Sequence, residues 1–547
     1  MNMRLSALWF CLSISCASLD SGEALQRALR EGSRAQSVKT LSQEPRVLGA
    51  VSFTTELPPS SLRGADGIAC RAGEAFIAEA AVNRIRRLTP DGSLSTIALP
   101  EKLEGPTHLA IDADGSLWVT AAHGAELWKK TRDGRWSVEA SNLPDLSGLV
   151  ADQNEIYFSQ CDLRGSVSRI STAQKQPRII AQDLGCPGTP AVSRGALLVP
   201  LREVGEVWRI DSSNGQRVRL TQGLRSPVAI REMHDGQPGI IESGTGRILG
   251  LNSLHRESPA RLLKQLDPGI NDFAPCGDST LVTNALWGSV ERLRPFDAQP
   301  KALVPGGLLV PQGATLWGTS LLIADGLSVK RLHQGNLSLV AARGITPGFS
   351  SASGIIIGGD NAAYISSPEE GRLYRFDLSN PRVEEFSSGL DWPTSLARLW
   401  TGEVSVAETG SGQILKISSD GLWWPITYSL LSPLALTTDR ERLLVTEPES
   451  GRIIALREGT ALSSLSSELS RPVGIAQARD GRTFVIEQGR AALTERRSDG
   501  SLVRLIDNLA VGTSQSDRPR EVPIVTTPQD SLWMVLPGDG RVLHVRP

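Results

Sequence analysis

The sequence lacks several features that mark common classes of protein. It contains no Gly-x-Ser-x-Gly motif and no Cys-x-x-Cys pair, so neither a serine nucleophile elbow nor a dithiol motif is indicated. Histidine accounts for only 6 of the 547 residues. Basic and acidic side chains nearly balance, 57 against 59, which leaves a net charge of −2. This balance does not predict binding to nucleic acid or to an anionic membrane surface.

Long apolar runs are also absent after the first residues of the chain. No segment beyond residue 20 approaches the roughly 20 apolar residues that a membrane-spanning helix needs. The N-terminus differs, because Arg4 precedes an apolar stretch, Leu5–Cys16, which is the layout of a secretory signal. We therefore predict a signal peptide over residues 1–17 and a polar tether over residues 18–46.

Two processing routes fit this N-terminal segment, and an uncleaved segment is the third alternative. Small residues favour ordinary cleavage after Ala17, which would give a secreted protein. Ser13–Cys16 resembles a bacterial lipobox, except that Ser13 stands where leucine is usual. Lipidation of Cys16 would anchor the protein in the cell envelope, in the periplasm or at the outer membrane. That anchor is the only membrane contact we expect.

A strand motif recurs through almost the whole chain at intervals of about 40 residues. It begins with glycine and continues with two apolar residues three positions apart, as in Gly412-Gln-Ile-Leu-Lys-Ile. The glycines that begin these strands are Gly165, Gly205, Gly288, Gly371, Gly412, Gly451 and Gly540. A period of about 40 residues made only of short strands indicates β-propeller blades rather than a helical solenoid.

Each repeat predicts four strands, a to d, with Asp-Gly turns between strands c and d. These turns include Asp91-Gly92 and Asp420-Gly421. Asp-Gly between apolar alternations is a strong hairpin signal, in which both central residues are expected to take positive φ. The glycines are thus explained by turn geometry rather than by phosphate binding.

The number and order of the strands predict an all-β protein of two tandem six-bladed propellers, over 47–298 and 299–547. Twelve a-b-c triplets are accompanied by twelve d strands, one of which precedes the first triplet. A ring needs its last blade completed, since otherwise a sheet edge stays open. We expect Leu48–Leu57 to complete the blade at Ile270–Phe296, and Lys301–Val310 to complete the last blade. One twelve-bladed ring is the alternative.

Two segments carry a resemblance to a known group of propellers. Asn83-Arg-Ile-Arg-Arg-Leu88, and Pro472-Val-Gly-Ile-Ala476 followed by Asp480-Gly481, resemble NHL repeats. They are equally similar to regucalcin/gluconolactonase-like and streptogramin-lyase-like propellers. The resemblance spans residues 48–547 and implies the fold. It leaves the activity open, because those propellers include calcium-dependent lactonases, a zinc-dependent lyase and pure binding modules.

Polar residues at one end of the first propeller form the predicted ligand site. In a four-stranded blade, the start of strand a and the end of strand b share one end, which we call the upper end. The side chains placed there are Asp66, Glu79, His108, His123, Asn271, Asp272 and Asn284. Oxygen ligands would suit Ca²⁺, and histidine would suit Zn²⁺. The candidate metal ligands are Asp66, His108 and Asp272, with the two carboxylates facing each other across a cation or shared proton. A water-filled channel without a bound ligand would explain the same polar residues equally well.

The second propeller predicts an acidic cluster at its upper end. Asp325, Glu408, Glu447 and Glu487 each end a strand b. They would attract a cation or a basic ligand, or they are a structural feature of the repeat.

The enzyme patterns of the resembling groups are not met. Asn271 stands in Gly269-Ile-Asn-Asp rather than Pro-Asn-Gly, and three convergent histidines are not predicted. We therefore expect a binding or scaffolding module for a protein or small-molecule ligand, without nucleic acid. A Ca²⁺- or Zn²⁺-dependent lactonase or lyase in the first channel is the alternative.

Four cysteines in the body of the chain predict two disulfides. Cys161 and Cys186 fall at the upper ends of adjacent blades. Cys70 and Cys276 fall in the first and sixth blades, which are neighbours only in a closed six-bladed ring. Disulfides would agree with an oxidising compartment.

Overall fold

The computed structural model describes residues 44–162, 164–171, 176–294, 297, 299–379, 382–427, 429–440, 442–457, 462–466, 468–512 and 520–546. The predicted signal peptide, Cys16 and most of the tether lie outside this range. The described chain is built almost entirely of β-strands, with two short 3₁₀ turns at Ala80–Val82 and Gln488–Arg490. None of its helices has the length and apolar character needed to cross a bilayer.

The chain divides into two compact units, of which one is inserted in the other. The inserted unit is Ser60–Leu309, and the flanking unit contains Val310–Pro547 together with the residues up to Pro59. Both boundaries lie 11–13 residues after the predicted ones at 47 and 299. Two short strands of the flanking unit come first in the chain, β1 (Arg46–Val47) and β2 (Ser52–Leu57).

The inserted unit contains six four-stranded antiparallel sheets in its described residues, each formed by four consecutive strands. The strands are β3 (Ile68–Arg71), β4 (Glu74–Glu79), β5 (Arg84–Leu88), β6 (Leu94–Ile97), β7 (Pro106–Ile111), β8 (Leu117–Ala121), β9 (Glu126–Lys130), β10 (Trp136–Ala140), β11 (Leu146–Asp152), β12 (Glu155–Gln160), β13 (Ser166–Ser171), β14 (Arg178–Gln182), β15 (Ala191–Ser193), β16 (Ala196–Leu201), β17 (Glu206–Asp211), β18 (Arg217–Thr221), β19 (Pro227–Glu232), β20 (Pro238–Glu242), β21 (Arg247–Gly250), β22 (Arg261–Gln265), β23 (Ile270–Cys276), β24 (Ser279–Asn284), β25 (Ser289–Leu293) and β26 (Lys301–Val304).

The flanking unit contributes another six antiparallel sheets to the described part of the chain. Its strands are β27 (Pro311–Trp317), β28 (Ser320–Asp325), β29 (Ser328–His333), β30 (Asn336–Ala342), β31 (Ile355–Ile357), β32 (Ala363–Ser367), β33 (Arg372–Asp377), β34 (Arg382–Ser388), β35 (Pro393–Arg398), β36 (Val404–Glu408), β37 (Gln413–Ile417), β38 (Trp423–Thr427), β39 (Leu436–Asp439), β40 (Arg442–Glu447), β41 (Arg452–Leu456), β42 (Ser463–Ser466), β43 (Pro472–Gln477), β44 (Thr483–Glu487), β45 (Ala492–Arg496), β46 (Leu502–Asp507), β47 (Ile524–Thr526), β48 (Leu532–Leu536) and β49 (Arg541–Arg546). In addition, β1 extends the sheet of β46.

The first strands of the sheets lie side by side at the centre of each unit. In the inserted unit β3, β7, β11, β15, β19 and β23 contact their neighbours in this order, and β23 contacts β3. In the flanking unit the same holds for β27, β31, β35, β39, β43 and β47, and β47 contacts β27. Second strands such as β8 are buried on both faces, and their sequences therefore consist mainly of consecutive apolar residues. The cores lie between neighbouring sheets, as where Ala69 and Ala78 pack with Leu109 and Val119.

The predicted completion of the two units was wrong. Lys301–Val304 pairs with the strand just before it, with Val290 opposite Val304. Ser52–Leu57 pairs with the last strand of the chain, with Ser52 opposite Arg546. Strands that are adjacent in the chain pair at a lower loop-closure entropy cost than distant ones. Because β25 therefore binds β26, the N-terminal strand is left to complete the flanking unit.

The predicted Asp-Gly turns are present, but their geometry differs from the expectation. Gly92 has φ 91° and Gly421 has φ 83°, whereas Asp91 and Asp420 do not have positive φ. In the first of these turns the Gly92 N–H donates to the Thr89 carbonyl, and the Thr89 N–H donates to the Ser93 carbonyl. A three-residue loop with one left-handed glycine explains this pattern.

Both predicted cysteine pairs are confirmed. The Cα atoms of Cys70 and Cys276 are 5.4 Å apart, and those of Cys161 and Cys186 are 4.3 Å apart, and each pair forms a disulfide. The first bond joins β3 to β23 across a sequence separation of 206 residues.

Candidate functional site

Most carboxylates predicted at the upper ends of the blades bind groups of their own sheet. Glu79, the last residue of β4, is fully buried and accepts hydrogen bonds from the Arg63 N–H at 2.5 Å and from Arg84 Nε at 2.6 Å. It thereby ties the segment before the first strand to the third strand. The antiparallel register places Arg84 directly opposite Glu79, which explains the contact.

The same arrangement, which we call the carboxylate clasp, recurs in five further sheets. The backbone N–H donors and their carboxylate acceptors are Arg225 and Glu242, Val310 and Asp325, Asp391 and Glu408, Leu431 and Glu447, and Ser470 and Glu487, at 2.6–2.8 Å. Arginine or lysine from the third strand completes several clasps, as Lys330 does at 2.7 Å from Asp325. In the acidic cluster of the flanking unit, Asp325, Glu447 and Glu487 each pair with a cation. Glu408 instead accepts hydrogen bonds from the Asp391 N–H and the Ser411 hydroxyl.

Asn284 performs a similar structural task at the end of β24. Its side-chain amide donates to the carbonyls of Asp267 and Pro268 at 3.3 and 3.0 Å, and its oxygen accepts from the N–H groups of Leu286 and Trp287 at 3.1 and 3.2 Å. All four polar contacts of this amide are therefore made within its own sheet and the adjoining connections.

An arginine binds both carboxylate oxygens of Asp272, the residue predicted to face Asp66 across a cation or shared proton. Arg231 Nε lies 2.6 Å from Oδ1, and Arg231 Nη2 lies 2.9 Å from Oδ2. The same Nη2 donates to the Leu149 carbonyl at 3.1 Å. Both side chains are buried. The guanidinium thus connects three sheets across the channel and neutralises the charge of Asp272.

Asp66 turns toward its own sheet. Its Oδ2 accepts the Ala80 N–H at 3.0 Å. The pKa of Asp66 is raised from 3.8 to about 7. Burial among protein atoms is the main cause, and the negative charge of the nearby Glu79 contributes in the same direction. Asp272 is not among these causes, in agreement with its pairing to Arg231.

His108, on the first strand β7, is the buried residue of the predicted set with an unused polar atom. It is 7% exposed, and its Nδ1 has no hydrogen-bond partner among the described residues. Burial and the positive charges of Arg202 and Arg231 lower the pKa of His108 to about 3. The imidazole is therefore neutral at physiological pH and lies close to two arginines.

The remaining predicted residues lie at the rim of the channel. His123 is half-buried, with its ring against Gly105, where a Cβ would come within 2.5 Å of Nδ1. Gly105 also has φ 64°, so both space and backbone conformation require glycine there. Asn271 is half-buried next to Asp272.

The predicted metal ligands do not fit a metal ion. Within the described residues, no group of three or more histidine, cysteine, aspartate or glutamate side chains lies close enough together to hold one. Asp272 binds Arg231, Asp66 is oriented toward Ala80, and His108 has cationic neighbours. A divalent cation would add positive charge beside two guanidinium groups, which Coulomb repulsion opposes.

Two arginines of this channel were missed by the sequence reasoning. Arg202 directly follows β16, and its half-buried guanidinium has an Nε with no partner in the part of the chain that the structure describes. Burial lowers the pKa of Arg202. The sequence signal was available, since Arg202 follows Leu201 at the end of a second strand. Arg231 carried no such signal, because it lies five residues into β19 and reaches the centre only through its length.

The fold defines a class, the β-propellers, because repeated four-stranded antiparallel sheets with first strands at a common centre are their architecture. No family model matches the chain, and no curated protein matches it.

Solved structures give distant likenesses. PorZ, a surface component of the type-IX secretion system of Porphyromonas gingivalis, has a TM-score of 0.39 and 12% identity, covering 93% of this chain and 85% of PorZ. A catalytically inactive virginiamycin B lyase from Staphylococcus aureus has a TM-score of 0.36 and 13% sequence identity, covering 52% of this chain and 97% of the lyase. A chain of a nidogen/laminin complex has a TM-score of 0.32 and 18% sequence identity, covering 38% of this chain and 88% of that one. Such low scores assign no activity to this chain.

Proposed function

We propose that the protein is an exported, non-enzymatic binding module made of two closed six-bladed propellers. The inserted unit binds a small ligand with an anionic or hydrogen-bond-accepting group in its channel, at His108 and Arg202. The observation that carries the proposal is the unpartnered Nδ1 of His108, buried beside arginines, while the neighbouring carboxylates have structural partners.

The six-blade closure is supported by the contacts within each unit. The sixth first strand of each unit contacts the first one, and the Cys70–Cys276 bond joins the first and sixth sheets of the inserted unit. A single twelve-bladed ring would separate those sheets. The NHL-like segments at Asn83–Leu88 and Pro472–Ala476 agree with propellers of this kind.

Export is supported by the chemistry of the cysteines. All four cysteines of the described residues are in disulfides, which persist in oxidising compartments and are rare in reducing ones. The lipobox-like Ser13–Cys16 adds a lipid anchor to the proposal. Membrane fractionation tests it, because a Cys16→Ser variant should move from the membrane fraction to the aqueous one, and an unchanged distribution argues against the anchor.

The absence of catalysis is supported by where the acidic groups are. A carboxylate that acts as a general acid, a general base or a metal ligand must be free to contact the substrate or metal. Glu79 and Asp272 are held by arginines. The interior instead presents a neutral imidazole and a cation, which suit recognition of an anion.

The binding site is tested by thermal unfolding with inorganic phosphate, sulfate and citrate. At least one anion should raise the Tm of the wild type, and the rise should be lost in Arg202→Gln and reduced in His108→Asn. Arg194→Gln, which removes an exposed arginine two residues before β16, is the matched control and should respond like the wild type. A Tm that falls with EDTA and recovers with Ca²⁺ or Zn²⁺ would overturn the proposal in favour of a metal enzyme.

A further inference from the structure

A cleft of about 330 Å³ opens between the first two sheets of the inserted unit, at the end opposite to His108. It lies under the turns that join β3 to β4, β7 to β8, and β9 to β10. Its walls are formed by Arg71, Ala72, Glu74, Phe76, Ile97, Ile111, Gly115, Leu117, Lys130, Thr131 and Arg132. Small-molecule sites are typically about 300–1,000 Å³, so this volume suits a small ligand.

The charges in this cleft are predominantly positive and uncompensated. Arg71, Lys130 and Arg132 have no carboxylate partner among the described residues. The single acidic lining residue, Glu74, forms an ion pair with Arg87. By contrast, Lys129, which neighbours Lys130 in β9, is paired with Asp112 at 3.1 Å. The unpaired cations therefore converge on the cleft rather than being spread along the strands.

The guanidinium of Arg71 lies in the space that is free because Gly115, on the neighbouring sheet, has no side chain. A Cβ built on Gly115 would lie 1.2 Å from Arg71 Nη1 and 2.4 Å from its Cζ. The guanidinium thus covers the turn after β7 and occupies the space that any other residue would fill. Gly115 also has φ 80°, so the turn geometry requires glycine as well. The arginine is half-buried, and its guanidinium lies beside the cleft.

The rest of the cleft is apolar. Phe76, Ile97 and Ile111 are only partly buried and pack against the core between the two sheets, and Leu117 is buried behind them. A ligand that covers these side chains would remove apolar surface from water, which favours binding. An anionic end against Arg71 and Lys130, and an apolar body against these residues, matches the lining of the cleft.

We propose that this cleft is a second binding site, which takes a small amphipathic carboxylate such as an arylacetic or short branched acyl acid. The carboxylate pairs with Arg71 and Lys130, and Arg132 lies at the rim. The concave shape and the apolar walls favour a single small molecule over an extended polyanion, whose phosphates need a longer basic surface. The site is independent of the one at His108, since it lies at the other end of the unit.

Isothermal titration with indole-3-acetate and indole-3-acetamide tests the proposal on the full chain. The two probes share shape and apolar area and differ in charge. Indole-3-acetate should bind more tightly than the amide, and its affinity should fall as NaCl is raised, because salt screens partly exposed charges. Arg71→Gln and Lys130→Gln should each weaken binding of the carboxylate by about fivefold and leave binding of the amide unchanged.

Arg194→Gln is the matched control, because it removes an exposed arginine from the corresponding turn of the fourth sheet. It should bind both probes like the wild type. Loss of indole-3-acetate binding in Arg202→Gln, with binding retained in Arg71→Gln, would overturn the assignment to this cleft in favour of the channel. No binding of indole-3-acetate at millimolar concentration overturns the proposal, as does equal affinity for acid and amide. Binding of anionic lipid vesicles that depends on Arg71, without binding of the soluble acid, would overturn it in favour of a lipid surface.

Discussion

At the scale of single residues, Asp66 is a carboxylate of the candidate channel whose ionisation is coupled to folding. Its pKa rises from 3.8 to about 7, mainly because burial disfavours the charged form. Between these values the folded protein holds a proton that the unfolded chain has released. The contribution of Asp66 to stability is therefore fully present below about pH 3.8 and is lost as the pH rises through about 7.

Replacing this carboxylate should flatten the pH dependence of stability. The Tm of Asp66→Asn relative to that of the wild type should rise between pH 4.5 and 7.5, and the variant should be the more stable protein at pH 8. Differential scanning fluorimetry across this range measures both curves. Asp114→Asn changes an exposed turn residue of the same charge and controls for net charge. Parallel curves for Asp66→Asn and the wild type would contradict the prediction.

The pair of Asp272 and Arg231 is the other residue-scale feature of the channel. This ion pair does not contribute a large net stabilisation, because both charges lose their hydration when it forms. Its position is nevertheless informative. One arginine from β19 contacts β11 and β23, so the pair connects three first strands at the centre.

At the scale of elements, the carboxylate clasp explains why acidic residues end so many second strands. The backbone N–H before the first strand of a sheet would otherwise be buried without a partner, which costs about 1–3 kcal/mol. A carboxylate at the end of the second strand accepts it, and in five of the six clasps a nearby arginine or lysine offsets the charge. Each clasp thereby closes one end of its sheet.

Removing one clasp should destabilise the flanking unit measurably. Glu447 accepts the Leu431 N–H at 2.8 Å and pairs with Arg452 at 2.6 Å. Glu447→Ala should cost about 2 kcal/mol, which corresponds to a Tm lower by about 4–8 °C for a unit of this size.

The neighbouring Glu449 provides the control for this change. It forms an exposed ion pair with Arg471 at 3.3 Å, and such pairs contribute less than about 1 kcal/mol. Glu449→Ala should therefore leave the Tm almost unchanged. Similar losses in the two variants would show that the clasp has no special role.

At the scale of the whole molecule, the path of the chain separates the two units in an unexpected way. The flanking unit begins with β1 and β2 and is interrupted by the entire inserted unit before it continues at Val310. Without β2, the strand β49 would expose an unpaired edge, which favours aggregation. The inserted unit has no such requirement, since its six sheets are formed by consecutive strands.

Fragments should therefore differ in their ability to fold. Residues 60–309 should fold alone with a cooperative thermal transition, whereas residues 47–298 lack β26 and should melt at a lower temperature. Residues 310–547 should be unstable alone and recover when residues 44–59 are fused after residue 547 through a short Gly/Ser linker. Circular dichroism melting compares the four chains. A stable fragment 310–547 that gains nothing from the added segment would contradict this topology.

Much of this architecture was accessible from local sequence signals. The 40-residue period, the Asp-Gly turns and the glycine-led third strands predicted the sheets, because turn conformation and strand alternation depend on nearby residues. Cys70 and Cys276 were paired correctly, since a six-sheet unit makes their sheets neighbours.

Other features were decided only by the tertiary structure. The chain enters the outer strands Ser52–Leu57 and Lys301–Val304 through similar openings, Glu44-Pro-Arg-Val-Leu48 and Gln299-Pro-Lys-Ala-Leu303, so these sequences could not determine which sheet each strand completes. That choice followed from the short connection between β25 and β26. Likewise, Asp272 and Glu79 were correctly located, but their partners Arg231 and Arg84 come from a neighbouring sheet and an opposed strand. An isolated sequence position cannot reveal whether its charge is already neutralised, because the energy of an ion depends on every group that surrounds it in space.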